Sequence, residues 1–187
     1  MEQHPLEPFL PKNAKILMLG SFPPSQKRWS MDFYYPNWQN DMWRIFGLVF
    51  FDEKDYFTIP SEKKFDKEKI VNFLNEKGIA FSDTAKSVTR LKGTASDQFL
   101  EVDETMDIGF FLRELPQCIA IITTGGKAAE TLCKQYDAEV PAVGGHTDIL
   151  FEGRKISIYR MPSSSRAYPK PIDEKAKMYA SIKTILS

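Results

Sequence analysis

The chain has 187 residues, 42% of them hydrophobic and 13% aromatic, enough apolar chain for a single domain with its own core. Its 25 basic and 25 acidic residues cancel; that balance argues against non-specific coating of nucleic acid, which rests on many phosphate contacts, but leaves room for a local basic rim. Cys118 and Cys133 sit in apolar contexts that suggest neither a disulfide framework nor a zinc site, no apolar run is long enough to span a bilayer, and the acidic, proline-bearing start MEQHPLEPFLP lacks the character of a signal peptide. The expectation is one cytoplasmic, monomeric domain over 1–187, without metal or cofactor and away from membranes.

In chain order, residues 1–14 read as an extended arm, because Pro5, Pro8 and Pro11 interrupt regular structure. Lys15-Ile16-Leu17-Met18-Leu19 is a short apolar run that stops at Gly20, the pattern of a central parallel strand. The loop Ser21-Phe22-Pro23-Pro24 leads into an aromatic, polar stretch holding Phe33, Tyr34, Tyr35 and Trp38. Asn40 or Asp41 can then cap a helix carrying Trp43, Ile45, Phe46 and Val49. Asp52 to Lys64 reads as a polar loop, and Phe65 to Lys77 as an amphipathic helix stopped by Gly78.

Gly78 to Asp83 is the second predicted strand, with a polar tip. Thr84 to Asp107 is mostly polar and reads as a long loop containing Gly93-Thr94-Ala95-Ser96-Asp97, of a length that function usually justifies. A helix over Ile108 to Leu115, a strand over Cys118 to Ile122 and a helix over Ala128 to Tyr136 follow. Ile149 to Phe151 and Ile156 to Tyr159 form either a hairpin around Gly153 or the last two strands, and a final helix starts at Asp173 and carries Ala176, Tyr179, Ile182 and Ile185. Strands alternating with helices predict a layered α/β fold around a mainly parallel sheet, with the strand ends at Gly20, Asp83, Gly125 and Met161 opening on one edge.

Several groups on that edge could carry chemistry. Gly125-Gly126-Lys127 sets backbone N–H groups and an ammonium beside a helix N-terminus, which suits phosphate and equally suits a plain glycine turn. Met161-Pro162-Ser163-Ser164-Ser165-Arg166 offers hydroxyls, amides and a guanidinium of the kind that hold phosphate oxygens, and it also fits an ordinary serine-rich turn. Lys27, Arg28, Arg154 and Arg160 could extend a basic rim. The aromatic group around Tyr35 could stack bases or serve the core. Asp83, ending an apolar strand, is the carboxylate most expected to have a role. His4 and His146 stand apart, and no nucleophile elbow supports a hydrolase triad.

Taken together, these motifs resemble the uracil-DNA glycosylase superfamily, in particular its mismatch-specific, thymine-DNA and hypoxanthine-DNA branches. LGSFPPS is similar to a Gly-Ser-x-Pro signature; Tyr34-Tyr35 and Asn40-x-Met42-Trp43 resemble the paired tyrosines and Asn-x-Phe-Trp that follow it. Lys92 to Asp97 is similar to a Gly-Ser-x-Asp patch, and MPSSSRA resembles the second thymine-DNA glycosylase signature. The resemblance spans Lys15 to Ile185.

It implies a three-layer α/β/α fold and a monofunctional, metal-free enzyme that excises deaminated bases from damaged single- or double-stranded DNA. By the same resemblance, Gly20, Ser21 and Phe22 border the base, Tyr35 stacks on it and Asp83 holds its Watson–Crick edge. Lys127, Ser163, Ser164 and Ser165 grip phosphates, with Arg166 at the wedge. Two positions depart from the pattern. Phe22 stands where common members carry the Asp or Asn that positions water, and Met161 replaces a His or Asn. Asn40 is then the first candidate to position water, with Asp32 and Asp41 behind it. The alternative is a member of the same fold that binds nucleic acid or nucleotide and cuts nothing.

Overall fold

The computed structural model describes residues 1–91 and 99–187. In chain order these form β1 (Glu2–Gln3), β2 (Ile16–Gly20), α1 (Met42–Phe51), β3 (Thr58–Ile59), β4 (Lys64–Phe65), α2 (Lys67–Lys77), β5 (Ile79–Asp83) and β6 (Ala85–Arg90). They continue with β7 (Leu100–Thr105), α3 (Ile108–Glu114), β8 (Ala120–Thr124), α4 (Gly126–Gln135), β9 (His146–Phe151), β10 (Arg154–Met161), α5 (Ile172–Tyr179) and α6 (Ser181–Leu186).

Alternation along the central strands sets the layers, because successive side chains point to opposite faces of a sheet. Ile16, Met18, Ile79, Phe81 and Ile122 face one way, onto Trp43 and Phe46 of α1, Ile70 and Phe73 of α2, Tyr179 of α5 and Ile182 of α6. Leu17, Leu19, Ala80, Ile121 and Ile158 face the other way, onto Phe111 and Leu112 of α3 and Leu132 and Cys133 of α4. The result is the expected α/β/α arrangement of three layers around a five-stranded sheet of order β5-β2-β8-β10-β9, parallel except for the edge strand β9.

Register brings the functional edge together. Gly20 pairs with Asp83, Leu19 with Thr123, and Thr124 with Met161, so β2, β5, β8 and β10 end side by side. Ligand sites of open α/β sheets lie outside such carboxyl ends.

Four segments differ from the sequence expectation. The expected polar loop and the start of the helix after it hold the antiparallel pair β3–β4, which buries Phe57 and Phe65, so α2 begins only at Lys67. Thr84 to Asp107 is not simply a loop: β6 and β7 pair antiparallel, with β1 on the far side of β6. This ribbon buries only a small cluster of Ala85, Val88 and Leu100 against Phe22, so its residues carry little apolar periodicity. The Gly-Thr-Ala-Ser-Asp patch expected at 93–97, with Lys92, lies outside the described residues. The arm is also more ordered than its prolines suggest, since β1 pairs with β6 and Phe9 exchanges both backbone hydrogen bonds with Phe81. Finally, the last helix is divided at Ala180 into α5 and α6. The hairpin reading of 149–159 is the one that forms: Glu152 and Gly153, at φ 49° and 83°, make the left-handed two-residue turn that matches strand twist.

Arg154 does not join a basic rim. Its guanidinium donates to the carbonyls of Leu112, Leu115 and Cys118, satisfying acceptors that the end of α3 leaves open. Among the described residues no helix is long and apolar enough to cross a membrane.

Both cysteines are buried. Burial pushes the Cys118 thiol up from 9.0 to about 11 and raises Cys133 as well. A raised thiol pKa means the folded chain holds its proton more tightly than the unfolded one. Cys118 therefore contributes fully below 9.0 and loses that contribution as pH rises towards about 11. Neither thiol is expected to react with a disulfide reagent at about pH 8 in the native protein, and both are expected to react in guanidinium. Native labelling at the rate of a free thiol contradicts this.

Candidate functional site

A cavity of about 720 Å³ opens at the carboxyl edge of the sheet. Gly20 to Pro24 and Tyr34 to Asn40 form one wall, apart from Trp38; Ser163 to Pro169 form the other; Asp83 and Thr124 come up from the strand ends below. The two loops that follow β2 and β10 on this edge thus line one cavity, and they are also stitched at one end. The Asp41 N–H donates to Ser164 O, Asn40 and Ser165 form an isolated bridge, and the Arg166 guanidinium reaches Gln39 Oε1 and Asp41 Oδ1, each at 2.9 Å.

The innermost corner requires glycine. A Cβ on Gly20 would lie 2.6 Å from Tyr35 Oη, 2.7 Å from Asp83 Oδ1 and 3.4 Å from Thr124 Oγ1. Three polar atoms from three elements thus converge where a side chain is missing. Tyr35 holds its place in the left-handed region at φ 53°, a conformation that costs a non-glycine residue about 1–3 kcal/mol and needs surrounding support. Its ring meets Phe81 and Trp43 edge-on, and its hydroxyl lies 2.5 Å from Thr124 Oγ1.

Asp83 is 4% exposed. Its Oδ2 lies 2.6 Å from Nε2 of His4, brought in by the arm, and Asp83 has no other hydrogen-bond partner among the described residues. Oδ1 is the oxygen left to the cavity. Nothing in the sequence announced this pairing, because the two residues are 79 positions apart.

Phe22 turns its ring away to pack with Ala85, Val88 and Leu100, under the Arg90 guanidinium and edge-on to His4. Phe22 still lines the cavity, and its backbone N–H has no partner among the described residues. Asn40 lines the cavity, but its Oδ1 accepts the Met42 N–H across Asp41, the residue that precedes α1, so the amide nitrogen is the part available to a ligand. Asp41 is committed to Arg44 and Arg166, Asp32 is exposed, and neither lines the cavity. Met161 is core. Phe33 and Tyr34 belong chiefly to the core, and Trp38 lies under the Arg44 guanidinium at 4.3 Å.

The serine loop is held from beneath. Ser163 Oγ accepts the Ser165 N–H and Ser165 Oγ accepts the Ala167 N–H, while Ser164 is 2% exposed. The Tyr179 hydroxyl donates to Pro162 O at 2.7 Å, and the Lys175 ammonium to Ser165 O at 2.8 Å. Lys175 is 1% exposed; desolvation lowers its pKa most, opposed by Asp41 and assisted by Arg166. Asp41 thus sits among Arg44, Arg166 and Lys175, with Asp55 also acting on Arg44. Arg28 lines the mouth. Lys127 lies in the first turn of α4 beyond the lining residues, next to Gly126, which the Arg160 guanidinium approaches.

No family model and no curated protein matches the chain. Among solved structures it is similar to the solution NMR structure of a "putative Uracil DNA glycosylase" from Methanosarcina acetivorans, with 23% identity, coverage of 100% of this chain and 99% of that one, and a TM-score of 0.66. At that identity the likeness is one of fold, and it extends over the whole chain.

Two substitutions test this architecture. Gly20→Ala forces Tyr35 and Asp83 from pinned positions and is expected to cost about 1–3 kcal/mol, as overpacking does, in urea unfolding. Tyr179→Phe leaves the buried Pro162 carbonyl unpaired and is expected to cost about 1–3 kcal/mol by the same measurement. A change under a few tenths for either removes its assigned role.

Proposed function

We propose that the chain is a monofunctional DNA glycosylase of the uracil-DNA glycosylase superfamily, which flips deaminated bases out of damaged DNA and hydrolyses their N-glycosidic bond. The observation that carries this reading is the cavity itself. It pairs an inner corner of Tyr35, Asp83 Oδ1 and Thr124, with Phe22 on the adjoining wall, with a hydroxyl-bearing rim on the facing loop that carries Arg166. A base fits the first and its phosphates the second. The shared fold with a protein described as a uracil DNA glycosylase supports the same reading, as do the sequence motifs.

The chemistry follows from the charges. Extrusion is cheapest for damaged or mispaired bases. As the bond to the anomeric carbon breaks, its electrons go to the base and the sugar becomes cationic. The Phe22 N–H can donate to the base carbonyl that gains charge, and counts for most once the bound nucleotide excludes water. Tyr35 presents a ring to the base, and Ser21 completes the wall. Asp83 Oδ1 accepts a ring N–H, which uracil, hypoxanthine and xanthine all possess, so deaminated purines are accepted alongside uracil. The Asn40 amide holds a water against the sugar. That water adds to the anomeric carbon, and its proton balances the departing base. Ser163, Ser164, Ser165 and Arg166 hold phosphates, with Lys127 extending the grip at the N-terminus of α4.

A second reading, a binder that cuts nothing, draws on Phe22 in the usual water-positioning place and on the commitment of Asn40 Oδ1 to the Met42 N–H. Oligonucleotides carrying uracil, hypoxanthine or xanthine, treated with alkali after incubation, separate the two. Excision is expected to fall at least about a hundredfold in Asp83→Ala and Asn40→Ala; binding without breakage for every lesion supports the binder. Fast excision of uracil with none of hypoxanthine overturns the purine preference. Arg166→Ala is expected to weaken binding to all sequences alike and to reduce the salt slope by about one.

A further inference from the structure

We infer that His4 sets the specificity of this pocket: by holding one oxygen of Asp83 out of the cavity, it denies guanine the two-point contact that a free carboxylate would offer. The inference rests on the proposed reading that Asp83 accepts from the extruded base.

Guanine and hypoxanthine present the same carbonyl and the same ring N–H, and differ by the exocyclic amino group beside that N–H. A carboxylate with both oxygens free is the natural partner of the guanine edge, taking the ring N–H on one oxygen and the amino group on the other. Left uncapped, Asp83 would therefore favour the undamaged base over its deaminated look-alikes. A pocket that accepts deaminated purines has to prevent this.

The structure supplies the means. Asp83 Oδ2 lies 2.6 Å from His4 Nε2, and His4 does not line the cavity, so this oxygen is turned out of it. Only Oδ1 remains, close to Gly20 and the Tyr35 hydroxyl. One acceptor serves one ring N–H. The amino group of guanine is then left without a partner in a confined site, and an unpaired buried donor is what allows a pocket to reject an analogue strongly.

His4 is built to hold that position. Its ring meets Phe22 edge-on at 5.1 Å and Tyr34 at 6.1 Å. Its Nδ1 lies 3.1 Å from both the N–H and the carbonyl oxygen of Leu6, so it can accept from the first when neutral or donate to the second when protonated. In both of these forms Nε2 carries the hydrogen that Asp83 accepts, whereas the neutral tautomer protonated at Nδ1 leaves Nε2 bare. The flanking backbone is fixed as well: the His4 N–H donates to Lys86 O, and Glu2 pairs with Arg90 at 2.7 Å.

The test is single-turnover excision by the full chain from oligonucleotides carrying hypoxanthine or guanine at one position, opposite the same base. His4→Ala frees the carboxylate to turn both oxygens inward and is expected to lower the hypoxanthine-to-guanine ratio by about tenfold or more. His4→Gln, whose amide N–H can replace that of Nε2, is expected to restore it. A role confined to stability lowers both substrates together, so an unchanged ratio in His4→Ala overturns the inference while leaving the glycosylase reading intact. Wild-type protein that excises no deaminated base overturns that reading and this inference with it. If His4→Ala does not fold, heteronuclear NMR of the wild-type imidazole decides: a hydrogen-bonded proton on Nε2 is expected, and an unprotonated Nε2 at neutral pH overturns the proposal.

Discussion

A carboxylate buried at the end of an apolar strand is the constraint on which much of this structure depends. Isolated and ionised, such a group costs more than a domain's whole net stability, so it has to find a partner. Asp83 follows Ile79, Ala80 and Phe81 into the interior, and its partner comes from the opening residues of the chain. Holding His4 there means holding the arm. The β1–β6 pairing, the Phe9–Phe81 bridge and the Glu2–Arg90 ion pair do so. Arg90 also donates to Pro23 O, which ties the same assembly to the loop bordering the cavity. One buried charge thus couples the arm, the side ribbon and the pocket wall.

The opposite wall follows the same logic with the signs reversed. Lys175 is an ammonium with almost no solvent contact, held by the Ser165 carbonyl and by the field of Asp41. Asp41 in turn answers to Arg44 and Arg166 and anchors the serine loop through its own N–H. Such a network positions the loop hydroxyls, because each member fails if its neighbour moves.

Much of this was legible in the sequence, for identifiable reasons. The runs at Ile16–Gly20 and Ile79–Asp83 are continuous and apolar because both faces are covered, and their polar or glycine ends marked the edge where the cavity lies. The two loops were legible because their unusual residues cluster. The ribbon of β6 and β7 was not, since a strand pair with one wet face and a small apolar cluster resembles a polar loop. Prolines in the arm said nothing of its docking. His4, Thr124, Lys175 and the Tyr179 hydroxyl escaped for one reason: each acts through a partner distant in sequence, and spacing carries no signal of such pairs.

The balance of charges over the whole chain bears on how a nucleic acid could be held. Coating a duplex needs many phosphate contacts and hence a large positive excess, which 25 basic and 25 acidic residues do not supply. Capturing one extruded nucleotide asks for less: a rim to hold the phosphates beside it and a pocket selective enough that weak binding to ordinary duplex is no handicap. Cationic groups are gathered on this side of the cavity, where Arg44, Arg166 and Lys175 surround Asp41. The negative charge of Asp83, at the far end of the same cavity, is shared with an imidazole. That separation favours an entering group whose anionic part stays at the rim and whose polar but neutral part reaches the floor, as a nucleotide's phosphate and base do.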